Sequence, residues 1–158
     1  MKFHIRRAQH GQRVDQISGP SLNYIEGLDR LCFPGDDPYP TAHVWWWIVW
    51  DEDGEPVGFG GVKLLPHERG VGYLCRVGVL YRARGHKLQR RLIRAREAFL
   101  KERGRGMSLT YTNLDNSASN NNLIKCGYMT YNPDYDWAGR DNVIYWRKSL
   151  QLDKEASS

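Results

Sequence analysis

The residues best suited to chemistry are concentrated between Tyr73 and Arg103, in the stretch YLCRVGVLYRARGHKLQRRLIRAREAFLKER. The apolar run ending at Val79 reads as a buried strand, Arg82 to Gln89 as a short arginine-rich turn, and the remainder as a long basic amphipathic helix. That order presents backbone N–H groups and cationic side chains at a helix N-terminus, where a phosphate can sit. Other reactive groups form no comparable pattern. Cys32, Cys75 and Cys126 are an odd set without a CxxC pair, which suits reduced thiols. No His/Cys/Asp cluster has metal-ligand spacing, so no metal cofactor is expected.

The elements that must position this turn follow one continuous α/β pattern without repeats. Lys2 to Arg6 alternates as a first strand. Asp15 to Phe33 has helical spacing through Ile17, Leu22, Ile25, Leu28 and Leu31, interrupted at Gly19-Pro20, and predicts two short helices or a helix and an irregular turn. Pro34 to Pro40 is a loop by composition. His43 to Trp50 is a strand buried on most of both faces, Asp51 to Glu55 a hairpin turn, and Pro56 to Leu65 the return strand. Pro66 to Gly70 turns into a strand over Val71 to Val79. In the basic helix, Leu88, Leu92, Ala95 and Phe99 form one core-facing stripe, which assigns the arginines to the remaining, solvated faces. Gly104 and Gly106 mark the helix end, Met107 to Asn113 alternates as a strand, and a further helix follows Asn116. Met129 to Tyr131 and Asn142 to Lys148 are expected as the last strands, around the turn-rich segment NPDYDWAGRD.

The turn resembles the acyl-CoA-binding motif of the GNAT superfamily, the acetyl-CoA-dependent N-acetyltransferases, commonly R-G-x-G-x-G after a strand ending in valine. Arg84 and Gly85 match in type and in spacing from Val79, while Lys87 and Gln89 replace the later small residues. A lysine or glutamine preserves the backbone geometry there if φ stays negative and the side chain turns outward. A second motif lies in Asn116 to Tyr128, where Asn116, Ser119, Lys125 and Gly127 match a family pattern N-x-x-A-x-x-L-Y-x-K-x-G-F. Leu123 stands where many members carry the tyrosine that protonates the departing CoA thiolate. The resemblance covers roughly Trp45 to Leu150. It implies an α/β (α+β) GNAT fold, a mixed central sheet of about six to seven strands flanked by helices. One domain is expected over residues 1–150, with a polar tail at 151–158.

The resemblance also implies a site. Acetyl-CoA would be the co-substrate, its thioester carbonyl meeting backbone N–H groups near Val77, Gly78 and Val79 as negative charge builds on the oxygen. Its pyrophosphate would meet Arg84, Gly85, His86, Lys87, Leu88, Gln89 and Arg90, with Arg82, Arg84 or Lys87 adding charge-assisted hydrogen bonds. Asn116 and Asn120 would hold the pantetheine or phosphate side. No general base is named. Tyr73 takes the place of a glutamate that serves as base in some relatives, Cys75 lies two residues on, and Glu26, His43 and His67 are further candidates. Aromatic residues Tyr24, Phe33, Tyr39, Tyr135 and Trp137 are expected around the acceptor.

Charge and composition bound the alternatives. A net charge of +5, concentrated in Arg82 to Arg105, raises a nucleic-acid reading, but the apolar stripe and the two motifs argue against it. No apolar run reaches the ~20 residues that span a bilayer, and MKFHIRRAQHGQ has no apolar stretch after its charges, which argues against a signal peptide and for the cytoplasm. The expected activity is acetyl transfer to a primary amine of a small molecule or protein. A turnover-deficient acyl-CoA-binding module is the second hypothesis, and a homodimer is left open.

Overall fold

The computed structural model describes residues 1–8, 20–65 and 68–152. The expected break at Gly19-Pro20 with the segment before it, His67, and residues 153–158 lie outside those, apart from Pro20, which opens a helix. The elements are β1 (His4–Arg7), α1 (Pro20–Cys32), β2 (Trp45–Trp50), β3 (Pro56–Leu64), β4 (Val71–Val79), a 3₁₀ turn (Tyr81–Ala83), α2 (Leu88–Glu102), β5 (Met107–Asn113), α3 (Ser117–Lys125), β6 (Met129–Thr130) and β7 (Val143–Ser149). The seven strands form one mixed sheet in the order β1-β2-β3-β4-β5-β7-β6. Strand β1 begins two residues later than its alternation suggests, because pairing with β2 sets its register from His4↔Trp50 to Arg7↔Trp47.

The chain divides into two compact units, Met1–Lys63 with Cys75–Arg96, and Leu64–Leu74 with Glu97–Ser158. In the first unit, β2 pairs with β3 antiparallel from Trp45↔Val62 to Ile48↔Phe59 and onward. Trp46 and Phe59 are fully buried, with ring centroids 5.8 Å apart, and Ile25 and Leu28 of α1 are buried as well. Alternation explains the tryptophan run: neighbours face opposite sides of the sheet, and Trp46 and Trp47 are both core residues. Gly78 of β4 admits α1, since a Cβ there would lie 2.9 Å from the Cys32 Sγ and 2.8 Å from the Phe59 ring.

The β2–β3 turn is built on Asp51. Its Oδ1 accepts the N–H groups of Asp53 and Glu55, and its Oδ2 accepts the Arg82 guanidinium at 3.0 Å. Gly54 takes φ 77°, as a tight hairpin demands. The Glu55 N–H and the Arg82 hydrogen bond hold the Asp51 carboxyl below the usual carboxylate range.

Helix α2 departs from the expected division between an apolar stripe and solvated arginines. Leu88, Leu92 and Phe99 are buried as predicted, but Ala95 is only half-buried and Arg96 is buried at 2 % exposure. Arg96 donates from Nε to Leu92 O at 3.1 Å, and from Nη1 to Gly61 O at 3.1 Å and Cys75 O at 3.4 Å. Room for it comes from Gly60, where an added Cβ would lie 3.1 Å from the guanidinium carbon.

In the second unit, β4 runs parallel to β5 from Val71↔Met107 to Tyr73↔Leu109, and β5 pairs with β7 antiparallel along its whole length. The expected strand Met129–Tyr131 shortens to two residues, Met129 and Thr130, beside Arg147 and Trp146 of β7. Ser108 and Tyr128 share a buried hydrogen bond of 2.8 Å, and buried Glu97 pairs with Lys148 at 3.0 Å. Helix α3 is capped at both ends. Asn116 accepts from Ser119 N–H, and Gly127 at φ 90° lets Tyr128 N–H return to Leu123 O.

Two outcomes test this packing. Gly60→Ala forces its methyl onto an immobile guanidinium and is expected to lower stability by about 1–3 kcal/mol in urea unfolding. The depressed Asp51 carboxyl contributes stability above its unfolded value of about 3.9, lost as pH falls through the lower folded value. Asp51→Asn is therefore expected to be less stable at neutral pH and to show a shallower stability loss in acid, read from thermal melts across pH 2–6.

Candidate active site

The expected strand-turn-helix is present, and its strand carries an irregularity, as the GNAT resemblance implies for this strand. Ahead of residue 75, even-numbered groups of β4 point toward β5: Met107 N–H donates to Gly70 O at 3.0 Å and Thr110 Oγ1 to Leu74 O at 2.8 Å. Beyond it, Leu80 N–H donates to Val57 O at 2.8 Å, so even-numbered groups point toward β3. Strand groups alternate strictly, so a change of parity requires one extra residue, a bulge. It falls at Cys75–Arg76, where Arg76 takes φ 33°. By the same alternation, the N–H groups of Val77 and Val79 lie on the edge away from β3.

A left-handed non-glycine residue inside a strand costs about 1–3 kcal/mol unless its surroundings impose it. Here they do. Arg76 Nε donates to Asp29 Oδ1 at 2.7 Å, and Nη1 donates to Asp36 Oδ2 at 3.1 Å. The guanidinium carbon lies 3.8 Å from the Phe33 ring centroid and 5.4 Å from that of Tyr39. Its Nη2 is buried without a hydrogen-bond acceptor, and the aromatic face stands in for one. Asp29, buried on α1, also accepts Tyr39 N–H on its other oxygen at 3.0 Å. On the opposite face, the Cys75 carbonyl receives the buried Arg96 Nη1.

The turn that follows holds two left-handed residues. Gly85 has φ 84°, with open space where a Cβ would go. Lys87 has φ 59°, so the negative φ on which a lysine's fit to the motif was conditional is not adopted. The loop thus keeps the glycine-type conformation with a lysine in it. Arg84 is extended, caps the 3₁₀ turn through its N–H to Tyr81 O, and stacks on the Tyr81 ring. Arg82 is committed to Asp51, and His86 packs on Phe3 with ring centroids 5.0 Å apart. The first helical bond of α2 runs from Arg91 N–H to Lys87 O, so Leu88, Gln89 and Arg90 supply the N–H groups that precede it. Leu88 is buried and anchors the helix start, while Gln89 and Arg90 are half-buried. The first turn contains no acidic residue, although a helix N-terminus ordinarily favours one. Cations there suit a bound anion instead.

The remaining candidates separate by unit. Cys75 is buried beside Val44, Trp46 and Gly61, and burial pushes its thiol up, against a Tyr39 side-chain hydrogen bond that pulls the other way. A buried, protonated thiol is a poor base. Glu26 and His43 are exposed. In the second unit, Tyr73 belongs to an aromatic cluster: it stacks on Tyr111 at 6.2 Å and meets Trp137 edge-on at 5.3 Å. Trp137 Nε1 donates to Tyr131, whose hydroxyl is pushed up by burial. Asn116 is engaged as the α3 cap, and Asn120 bonds Thr112 and Leu114 O. Leu123 is buried in α3, with no proton to give. Among the described residues no His/Cys/Asp/Glu group could hold a metal ion, and no helix is long and apolar enough to cross a membrane.

Comparison with known proteins identifies the fold and the family. No curated protein is significantly similar in sequence. Among solved structures, the ribosomal-protein-S18-alanine N-acetyltransferase of Escherichia coli superposes with a TM-score of 0.72 at 13 % identity, covering 98 % of this chain and 97 % of that one. A NatC complex bound to Gag peptide and CoA gives 0.73 at 17 %, covering 96 % and 100 %. Nourseothricin acetyltransferase gives 0.66 at 16 %, covering 94 % and 99 %. Similarity at these identities shows the fold. The profile of the Acetyltransferase (GNAT) family matches residues 21–128, from the start of α1 through the end of α3, and the chain therefore belongs to that family of acyltransferases.

Proposed function

We propose that the protein transfers the acetyl group of acetyl-CoA to a primary amine by direct attack. The observation that carries this reading is the start of α2, where left-handed Gly85 and Lys87 lead into a helix whose first turn holds cations and no acid. Such a turn suits a pyrophosphate, held by the N–H groups of residues 85–90 and by Arg84 and Lys87. The acetyl carbonyl would lie against the N–H groups of Val77 and Val79, beyond the bulge. The amine nitrogen bonds to the carbonyl carbon, the C–S bond breaks, and the thiolate leaves as CoA while the amine gives up a proton. Fixed N–H donors lower this barrier because the oxygen's charge grows only in the transition state. Asn116 and Asn120 have structural bonds of their own, so their expected role toward the cofactor requires Thr112 or Ser119 to share them.

The acceptor is a small molecule or a protein amine, as is general in the family, and the three similar structures carry names pointing to a ribosomal protein, a Gag peptide and nourseothricin. That diversity on one fold means the acceptor is decided outside the shared frame. Buried Leu123 favours one alternative, a module that binds acyl-CoA without turnover, since it removes the familiar thiolate acid.

Calorimetric titration with acetyl-CoA and CoA, followed by an assay of CoA release against a panel of primary amines, separates these readings. Binding with amine-dependent release is expected; binding alone identifies the inactive module, and no binding overturns the phosphate site. Gly85→Asp is expected to weaken acetyl-CoA more than about tenfold by placing an anion beside the phosphates. Unchanged affinity in the folded variant removes the assignment. Lys87→Gly relieves left-handed strain of about 1–2 kcal/mol against an entropy cost of about 0.5–1, for a small net gain in stability. The same change is expected to weaken acetyl-CoA binding through the lost cation, most clearly at low salt.

A further inference from the structure

We propose that Arg76 is a positioning residue for acetyl transfer, holding the β4 bulge in the conformation that aims the Val77 N–H at the thioester oxygen. The inference rests on the acetyl-CoA reading above and assigns a role to a side chain outside the motifs that suggested it. Among the described residues, Arg76 is the only one with a positive φ inside a strand. Glycine would adopt that angle without steric cost, yet the position holds an arginine with three separate restraints. Asp29 and Asp36 take its Nε and Nη1, and Phe33 lies under its guanidinium.

These restraints come from two different places in the first unit. Asp29 sits on α1, while Asp36 lies in the loop that follows it. Asp29 joins the two, because its second oxygen receives Tyr39 N–H of the same loop. Across the sheet, Arg96 holds the Cys75 carbonyl, the group on the other side of the irregular residue. The irregular residue is therefore held from both sides: Arg96 fixes the Cys75–Arg76 peptide that precedes its Cα, and its own guanidinium fixes the Cα from which the Val77 N–H projects. A donor that must meet a developing oxyanion needs such fixation, because a small misplacement forfeits most of the stabilisation. An arginine that merely tied down the loop would affect stability and leave the thioester contact unchanged.

The experiment reads that contact without any acceptor. Isotope-edited infrared spectra of bound [1-¹³C]acetyl-CoA are recorded for the full chain and for Arg76→Gly, Arg76→Lys and Asp29→Asn, with CoA affinity measured by calorimetry. The wild-type carbonyl band is expected to fall below that of free acetyl-CoA. Arg76→Gly and Asp29→Asn are expected to lose at least half of this shift while CoA affinity stays within about threefold, and Arg76→Lys to retain part of it. Arg76→Gly tolerates the left-handed angle, so it decides the matter should Asp29→Asn fail to fold. A full shift in folded Arg76→Gly overturns the role of Arg76 alone. A wild-type protein that binds no acetyl-CoA overturns the acetyl-CoA reading and this role with it.

Discussion

The bulge at Cys75–Arg76 is the constraint around which the first unit is organised. A single extra residue reverses which edge of β4 its backbone groups face. Two arginines answer this from opposite faces. Arg96, buried on α2, reaches Gly61 O and Cys75 O, which requires a glycine at position 60. Arg76 reaches out to α1 and its loop through Asp29 and Asp36. Burying a guanidinium is costly, and its retention makes sense where several carbonyl or carboxylate oxygens must be held at once.

The start of α2 shows a second use of charge against the usual preference. Helix N-termini favour acidic residues, and this one has none in its first turn. The cations there are not equivalent. Arg82 belongs to the Asp51 turn and Arg91 donates to Phe3 O, so the basic run also ties down the hairpin and the N-terminal segment. Arg84 and Lys87 are the cations left for the proposed phosphate contact. Part of this basic stretch is thus given over to holding the fold together.

Much of this architecture was legible in the residues. The order of strands and helices and the hairpin at Asp51–Glu55 follow from alternation, helical spacing and turn chemistry, all of which are local. Two features departed from the sequence reading, Arg96 for a nonlocal reason and Lys87 for a local one. Arg96 was assigned to solvent because it is charged, although it lies four residues after Leu92 on the buried face; the glycine at 60 was the signal that a large side chain needed room. Lys87 fitted the motif on condition of a negative φ, but the chain must turn left-handed to enter the helix there.

The sequence by itself determined the family and the sheet-and-helix order, because each is written in residues close together along the chain. It did not determine what holds the bulge. Asp29, Asp36 and Arg76 are 40 or more positions apart across each carboxylate–guanidinium pair. Nothing in their local spacing announces a partnership. Only the packing of α1 against β4, through Gly78 and Cys32, brings those charges within hydrogen-bond reach. The tertiary structure decided that pairing because a buried ion pair forms where the backbone delivers it, whatever its distance in sequence.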